Sequence, residues 1–177
     1  MTDSKQWWES VKKDNSRLIE WLKKQYHGEV TAAERIRVFI NRFGHQAAPS
    51  EIHILKEIAE QEENHADWIG ELLENRGIKA VKIKNKQSPY WDETLPGIID
   101  WATGCAVGAH AEKMRLERIR AICDDSESPE DIRRVFFKIL PQEEFHERSF
   151  RSFSTAAALE KTKYNHLNGK NALGLSD

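Results

Sequence analysis

The sequence predicts an all-α protein, a four-helix bundle with one extra helix at the N-terminus. Three observations support this fold class. Apolar residues recur with a helical period along nearly the whole chain. Glycine and proline, which interrupt regular structure, number only 9 and 5 in 177 residues. One longer interruption, at residues 78–93, separates two pairs of helical segments, a known way of connecting a four-helix bundle.

Three helices are predicted before this interruption. The first covers about residues 5–26 and carries an apolar stripe with several tryptophans. The second covers about residues 31–43. The third covers about residues 50–76, with Ser50 as its N-cap and Gly77 as the residue that ends it.

Two helices are predicted after the interruption. The fourth covers about residues 95–122. The segment SESPED at residues 126–131 signals a helix start, with Ser128 as N-cap and a proline at the first helical position. The fifth helix runs from there to about residue 166, and Pro141 inside it is expected to cause a kink.

The predicted helices divide the chain into three parts. Residues 1–28 form an accessory helix, residues 29–167 form the bundle, and residues 168–177 form a C-terminal tail. A chain of 177 residues suits a single hydrophobic core with such appendages.

Composition excludes several classes of function. The net charge of −2 gives no surplus of basic residues for binding nucleic acid. No stretch approaches the roughly 18–20 apolar residues of a membrane span, and the first ten residues lack the apolar region of a signal peptide. Cys105 and Cys123 lie on one predicted helix, too far apart to pair, so a reducing cytoplasm is the expected location.

One pentapeptide occurs twice, as QEENH at residues 61–65 and as QEEFH at residues 142–146. In each copy the first glutamate and the histidine are three residues apart, so both lie on one face of a helix. That face is otherwise a seam of apolar residues, which predicts that the polar side chains point into the core. They are Glu62, His65, Glu143 and His146. Without partners these buried groups would cost several kcal/mol each, so something must compensate them.

The other two bundle helices each offer a carboxylate to the same centre. Glu112 is the only charged member of the apolar seam of the fourth helix. Glu34, which has a valine four residues to either side, is the candidate from the second helix, and Glu29 is the alternative. Counted from the turns, the glutamates of each antiparallel pair lie within about 3–5 Å of the same height.

The charges of these groups predict a metal centre. Four glutamates and two neutral histidines carry four negative charges, which two divalent cations would balance. Oxygen-rich donors with one imidazole per ion suit iron or manganese better than structural zinc. Single glutamates from two helices and Glu-x-x-His from the other two form a di-metal site in helical bundles. We therefore predict two iron ions, with manganese as the alternative, bound by Glu34, Glu62, His65, Glu112, Glu143 and His146.

Over about residues 29–167 the sequence resembles the ferritin-like superfamily, which includes bacterioferritins, rubrerythrins and di-iron oxygenases. The resemblance depends on four segments, which are AERIRVF (33–39), QEENH (61–65), HAEKM (110–114) and QEEFH (142–146). It implies the same six ligands, with Glu62 and Glu143 as bridging carboxylates.

The sequence also departs from members of this superfamily. Rubrerythrins usually carry an additional glutamate three residues after the ligand that corresponds to Glu112, and here that residue is Arg115. They often carry a rubredoxin module, and no Cys-x-x-Cys is present here. The haem-binding methionine of bacterioferritins is replaced by Glu63. These departures weaken the peroxidase interpretation and make haem an unexpected cofactor.

The function we expect is that of a di-iron oxidoreductase that reduces O₂ or peroxide. A small organic substrate, another electron donor or iron itself, as in a ferroxidase, would supply the electrons, and the chain would form a homo-oligomer, a dimer. One alternative is iron storage or detoxification, which needs a large hollow assembly. Another is a bundle in which the metal has only a structural role.

Two features beside Glu112 have a simpler interpretation than catalysis. The segment GCAVGAHA at residues 104–111 is rich in small residues, which favours close helix packing over space for oxygen. His110 lies about 200° from Glu112 around the helix, so a surface or supporting role is favoured over metal ligation.

Overall fold

The computed structural model describes residues 3–83 and 88–175. It confirms the all-α fold class. Seven α-helices lie in these two segments: α1 (Ser4–Lys12), α2 (Asn15–Phe43), α3 (Pro49–Glu74), α4 (Pro89–Thr94), α5 (Trp101–Asp124), α6 (Glu130–Ser152) and α7 (Ala156–Ala172). Within the same segments, none of the helices has the length and apolar character needed to cross a membrane.

Helices α2, α3, α5 and α6 form the four-helix bundle. α2 packs along α3, α5 packs along α6, and α3 also contacts α6. Short links join the helices within each pair, and a long crossover at residues 75–100 joins the two pairs. The predicted connectivity is therefore confirmed. Part of the segment predicted as a loop is helical, since the crossover includes α4. Residues 84–87 lie outside the described part.

The apolar core of the bundle is divided into two layers. One layer lies towards α1 and includes Trp8, Trp21, Leu73, Ile122 and Phe136. The other lies towards the α2–α3 turn and is built from different residues of the same bundle helices. Its members include Ile36, Leu55, Ala59, Trp101 and Phe150. Each bundle helix contributes residues to both layers. Along each helix, the polar residues predicted to face the core lie between the residues of one layer and those of the other.

The first predicted helix boundary is wrong. No break separates residues 26 and 31, and α2 runs without interruption from residue 15 to residue 43. The break lies earlier, where the carboxylate of Asp14 accepts hydrogen bonds from the backbone N–H of Ser16 (2.9 Å) and Arg17 (3.2 Å). Asp14 is thus the N-cap of α2 and satisfies two N–H groups that have no partner inside the helix.

The last predicted helix is two helices. α6 continues through Pro141 and ends at Ser152, and α7 begins after Thr155, whose hydroxyl caps it by accepting from the N–H of Ala158 at 3.1 Å. α7 then extends to Ala172, so the segment predicted as a tail begins inside a helix. α7 packs on α4 and α5.

Ser128 is not the N-cap that the sequence predicts. α6 begins at Glu130, and the preceding residue, Pro129, occupies the cap position. The Ser128 hydroxyl instead donates to the carbonyl of Ile122 and accepts from the indole N–H of Trp8, both at 2.8 Å. It thereby links α1 to the turn between α5 and α6.

The third helix is close to the prediction. It begins one residue earlier, at Pro49, and the carboxylate of Glu51 accepts from the backbone N–H of Ala48, so Ser50 lies within the helix. Gly77 follows its end with φ of +71°, a conformation that favours glycine.

Candidate metal centre

The polar layer between the two apolar layers holds four carboxylates and two imidazoles. α2 and α5 each contribute one glutamate, and α3 and α6 each contribute a glutamate and a histidine. All six side chains are buried, and four of them are 0% exposed. They are Glu29, Glu62, His65, Glu112, Glu143 and His146.

One half of the layer is arranged around His65. Its Nδ1 atom lies 3.7 Å from Glu62 Oε2 and 3.4 Å from Glu143 Oε1. The same nitrogen lies 4.0 Å from Glu29 Oε2. We call these four donor atoms the His65 lobe.

The other half is arranged around His146. Its Nδ1 atom lies 3.3 Å from Glu62 Oε1 and 3.6 Å from Glu143 Oε2. Glu112 completes this group, in which all four ligand atoms lie within 4.8 Å of one another. We call it the His146 lobe. Glu62 and Glu143 thus offer one oxygen to each lobe, which is the geometry that a bridging carboxylate needs.

The outer nitrogens of the two imidazoles are held by glutamines in a crossed pattern. Nε2 of His65 lies 2.8 Å from Oε1 of Gln142, and Nε2 of His146 lies 2.8 Å from Oε1 of Gln61. An amide oxygen only accepts, so each Nε2 donates. In the neutral imidazole this leaves Nδ1 unprotonated and facing the carboxylates, as a metal ligand requires.

The donors of this layer fit a pair of metal ions. No hydrogen bond in the described residues reaches either oxygen of Glu62 or Glu143, Oε2 of Glu29, or the Nδ1 atoms of the two histidines. Buried polar atoms that lack hydrogen bonds are costly, and a divalent cation in each lobe would satisfy them. The mixture of carboxylate oxygen and imidazole nitrogen suits iron or manganese.

Glu34, one of the six predicted ligands, lies outside this cluster. Its side chain is 53% exposed and forms an ion pair with Lys82 at 2.5 Å. Glu29, the alternative, takes its place. Five residues of helix separate the two glutamates by about 140°, so they cannot face the same side of α2. The other five predicted ligands are brought together.

An arginine also enters the centre. The guanidinium of Arg115 contacts Glu29 Oε2, and its Nε lies 3.1 Å from Glu143 Oε1. Its Nη1 lies 3.7 Å from Glu62 Oε2. Arg115 is the residue that stands where rubrerythrins usually carry a glutamate, and its ion pairs with the centre could not be read from the sequence.

Two carboxyl groups of the layer have pKa values that are shifted in opposite directions. Burial raises the pKa of Glu112 well above its usual value, and the neighbouring charges of Glu143 and Glu62 raise it further. Burial also acts to raise the pKa of Glu143, but Arg115 and the two histidines lower it more, and the pKa ends well below its usual value. In the metal-free centre Glu112 therefore favours the neutral form and Glu143 the charged form.

The histidines of the metal-free centre favour the protonated form. Burial lowers the pKa of His65, but the Glu143 and Glu62 carboxylates raise it more, to about 10. The same causes raise the pKa of His146. A metal ion must therefore displace these protons when it binds.

The small residues of α5 provide room for aromatic rings. A Cβ atom at Gly104 would collide with the ring of Phe39, and one at Gly108 would lie 2.7 Å from Cδ1 of Phe150. This agrees with the packing interpretation. His110 stacks on the ring of His166, 4.8 Å between centroids, and does not join the metal-binding cluster.

A four-helix bundle whose helices bring four carboxylates and two imidazoles into one buried layer is a di-metal carboxylate protein of the ferritin-like type. The comparison with protein families agrees. The family model for rubrerythrin matches residues 20–154, and the chain belongs to the rubrerythrin family. Neither the curated proteins nor the solved structures gave a match.

Proposed function

We propose that this protein is a di-iron oxidoreductase that reduces O₂ or peroxide at the centre formed by the two lobes. The observation that carries the proposal is the presence of two complete donor groups that share the carboxylates of Glu62 and Glu143. The centre would hold two ferrous ions, which would supply electrons for the reduction, and an organic substrate or another donor would restore them.

The residues of the chain have distinct roles in this proposal. Glu62 and Glu143 would hold both ions, since each offers one oxygen to each lobe. Glu29 and Glu112 would each complete one lobe, and each histidine would add one neutral nitrogen to one lobe. The apolar layers above and below keep bulk water away from the centre, which strengthens its electrostatic interactions.

The experiment is anaerobic loading of metal-free protein with Fe(II), followed by exposure to air. We expect binding of two Fe(II) per chain, consumption of oxygen and the appearance of ferric absorption. Glu62→Ala should abolish both binding and oxygen consumption, because it removes one donor from each lobe.

Glu63→Ala is the matched control. Glu63 is the next residue along α3, but its side chain is 53% exposed and pairs with Arg37 on the surface. This variant should behave as the wild type does. If the wild type binds two Fe(II) and consumes no oxygen, the oxidoreductase proposal is wrong and the metal has a structural role.

A further inference from the structure

Arg115 lies on one side of the metal centre. It follows Glu112 by three residues on α5, so both side chains point inwards. The oxygens that form ion pairs with Arg115 are Glu29 Oε2, Glu62 Oε2 and Glu143 Oε1. These are the three carboxylate oxygens of the His65 lobe. The oxygens that Glu62 and Glu143 offer to His146 are their other ones.

We infer that Arg115 is a built-in cation of the His65 lobe, and that it makes metal loading sequential. The first ion enters the His146 lobe, where the guanidinium makes none of these ion pairs. The second ion must displace the guanidinium, because both need the same three oxygens. This inference rests on the proposed metal centre. It adds that the two sites fill in a fixed order and that they differ in metal affinity.

The contacts of Arg115 are suited to reversible displacement. Its guanidinium forms ion pairs with Glu29 Oε2 and Glu143 Oε1 and carries the charge that a metal ion in this lobe would replace. The side chain is 20% exposed, whereas Glu29 is 1% exposed, so Arg115 reaches from the centre towards solvent and has a direction in which to withdraw.

The charge of Arg115 also helps to stabilise the centre without metal. Four buried carboxylates would repel one another strongly. A guanidinium stays positive at any ordinary pH, so it offsets part of this repulsion at all times. The same charge opposes an ion that arrives in the adjacent lobe.

The test is a titration of metal-free protein with Mn(II). Calorimetry monitors the titration, and competition with a chelator gives the affinities of the two steps. The wild type should bind two ions in two resolved steps. Arg115→Met removes the charge and should tighten the second step by about tenfold or more, the scale measured for charges in close contact. The first step should change much less. Arg115→Lys keeps a positive charge and should retain two steps.

Arg120→Met is the matched control for the loss of a positive charge on α5. Arg120 pairs with Glu144 on the surface and is 53% exposed, so its removal should leave both steps as in the wild type. If Arg115→Met does not fold without metal, Arg115→Gln replaces it, since glutamine retains hydrogen-bond donors without the charge.

Thermal unfolding gives a second measurement that a purely structural arginine would not explain. Arg115→Met should melt below the wild type when metal-free and recover most of this loss when two Mn(II) are bound. If its melting temperature falls equally in both states, or if wild type and variant bind two ions with equal affinities, the inference is overturned. Absence of any Mn(II) binding by the wild type would instead refute the metal centre itself.

Discussion

At the scale of single residues, each copy of the repeated pentapeptide supports the histidine of the other copy. Each copy provides a glutamate to both lobes and a histidine to one lobe. The glutamine that begins each copy does not serve its own histidine. Gln61 holds His146, and Gln142 holds His65. The orientation of each ligand therefore depends on the helix opposite, which ties α3 to α6 through the centre.

Replacing these glutamines should weaken metal binding without removing a ligand. Gln142→Leu and Gln61→Leu each take away the acceptor that fixes an imidazole, and loss of such a supporting hydrogen bond typically lowers metal affinity by about 10–100-fold. Calorimetric titration with Mn(II) measures the change. Gln6→Leu alters an exposed glutamine of α1 and should have no effect. Unchanged affinity in both pentapeptide variants would show that the glutamines do not position the ligands.

The sequence was sufficient to find most of the centre because charged residues on an apolar helix face are conspicuous. It was misleading for α2, which is apolar on several sides. The valines four residues to either side of Glu34 favour it over Glu29 in the sequence, and Glu29 falls outside the predicted second helix. In the continuous α2, Glu29 stands four residues before the buried Ala33 and seven after the buried Leu22, which is the spacing of a core position.

At the scale of the helix, the N-terminal cap of α5 fixes where this helix begins, and with it the level of Glu112 along the bundle axis. α5 begins with a capping box. Asp100 Oδ1 accepts from the N–H of Thr103 at 2.8 Å, and Thr103 Oγ1 accepts from the N–H of Asp100 at 3.1 Å. The carboxylate also lies at the positive end of the helix dipole.

The stability given by this cap should depend on pH. Hydrogen bonds from the side chain and backbone of Thr103 lower the pKa of Asp100. A lowered folded-state pKa adds stability above the unfolded value of about 3.9, and this stability is lost as the pH falls through the folded-state value. Asp100→Ala should cost about 1 kcal/mol at pH 7.

Urea unfolding of wild type, Asp100→Ala and Asp100→Asn across pH 2–7 would measure this. The difference between wild type and Asp100→Asn isolates the charge, because asparagine retains the cap oxygen. That difference should be fully present above about pH 4 and should fade as the pH falls from there through the lowered folded-state pKa. A difference that stays constant with pH would show that the carboxylate charge contributes nothing.

Helix boundaries were less predictable than helix content. The links after α1 and α6 are only two or three residues long, so the apolar period continues almost undisturbed across them. The capping side chains, Asp14 and Thr155, were present in the sequence but had no glycine or proline beside them. Short links of this kind are determined by how the two helices pack, which local sequence does not reveal.

At the scale of the whole molecule, the family match leaves two segments outside it. Residues 20–154 belong to the rubrerythrin family model, whereas α1 and α7 lie beyond its limits. α7 packs against α4 and α5, so it holds the crossover against the bundle. α1 contributes Trp8 and Val11 to the apolar layer on one side of the metal centre. α1 therefore contributes to the apolar core of the bundle.

Trp8 gives a direct test of this role. Its side chain is 1% exposed, packs edge-on against Trp21 with 5.3 Å between ring centroids, and donates to Ser128 at 2.8 Å.

Trp8→Ala should lower the free energy of unfolding by about 3–5 kcal/mol, because it leaves a cavity and removes a buried hydrogen bond. Urea unfolding at fixed metal content measures it, and Trp7→Ala, at a partly exposed position of the same helix, should cost less. The folded fraction of Trp8→Ala should still bind two metal ions at the centre, since α1 contributes no donor to either lobe. A cost below about 1 kcal/mol would mean that α1 is not part of the cooperative core. A loss of metal from the folded protein would mean that the two apolar layers do not support the centre independently.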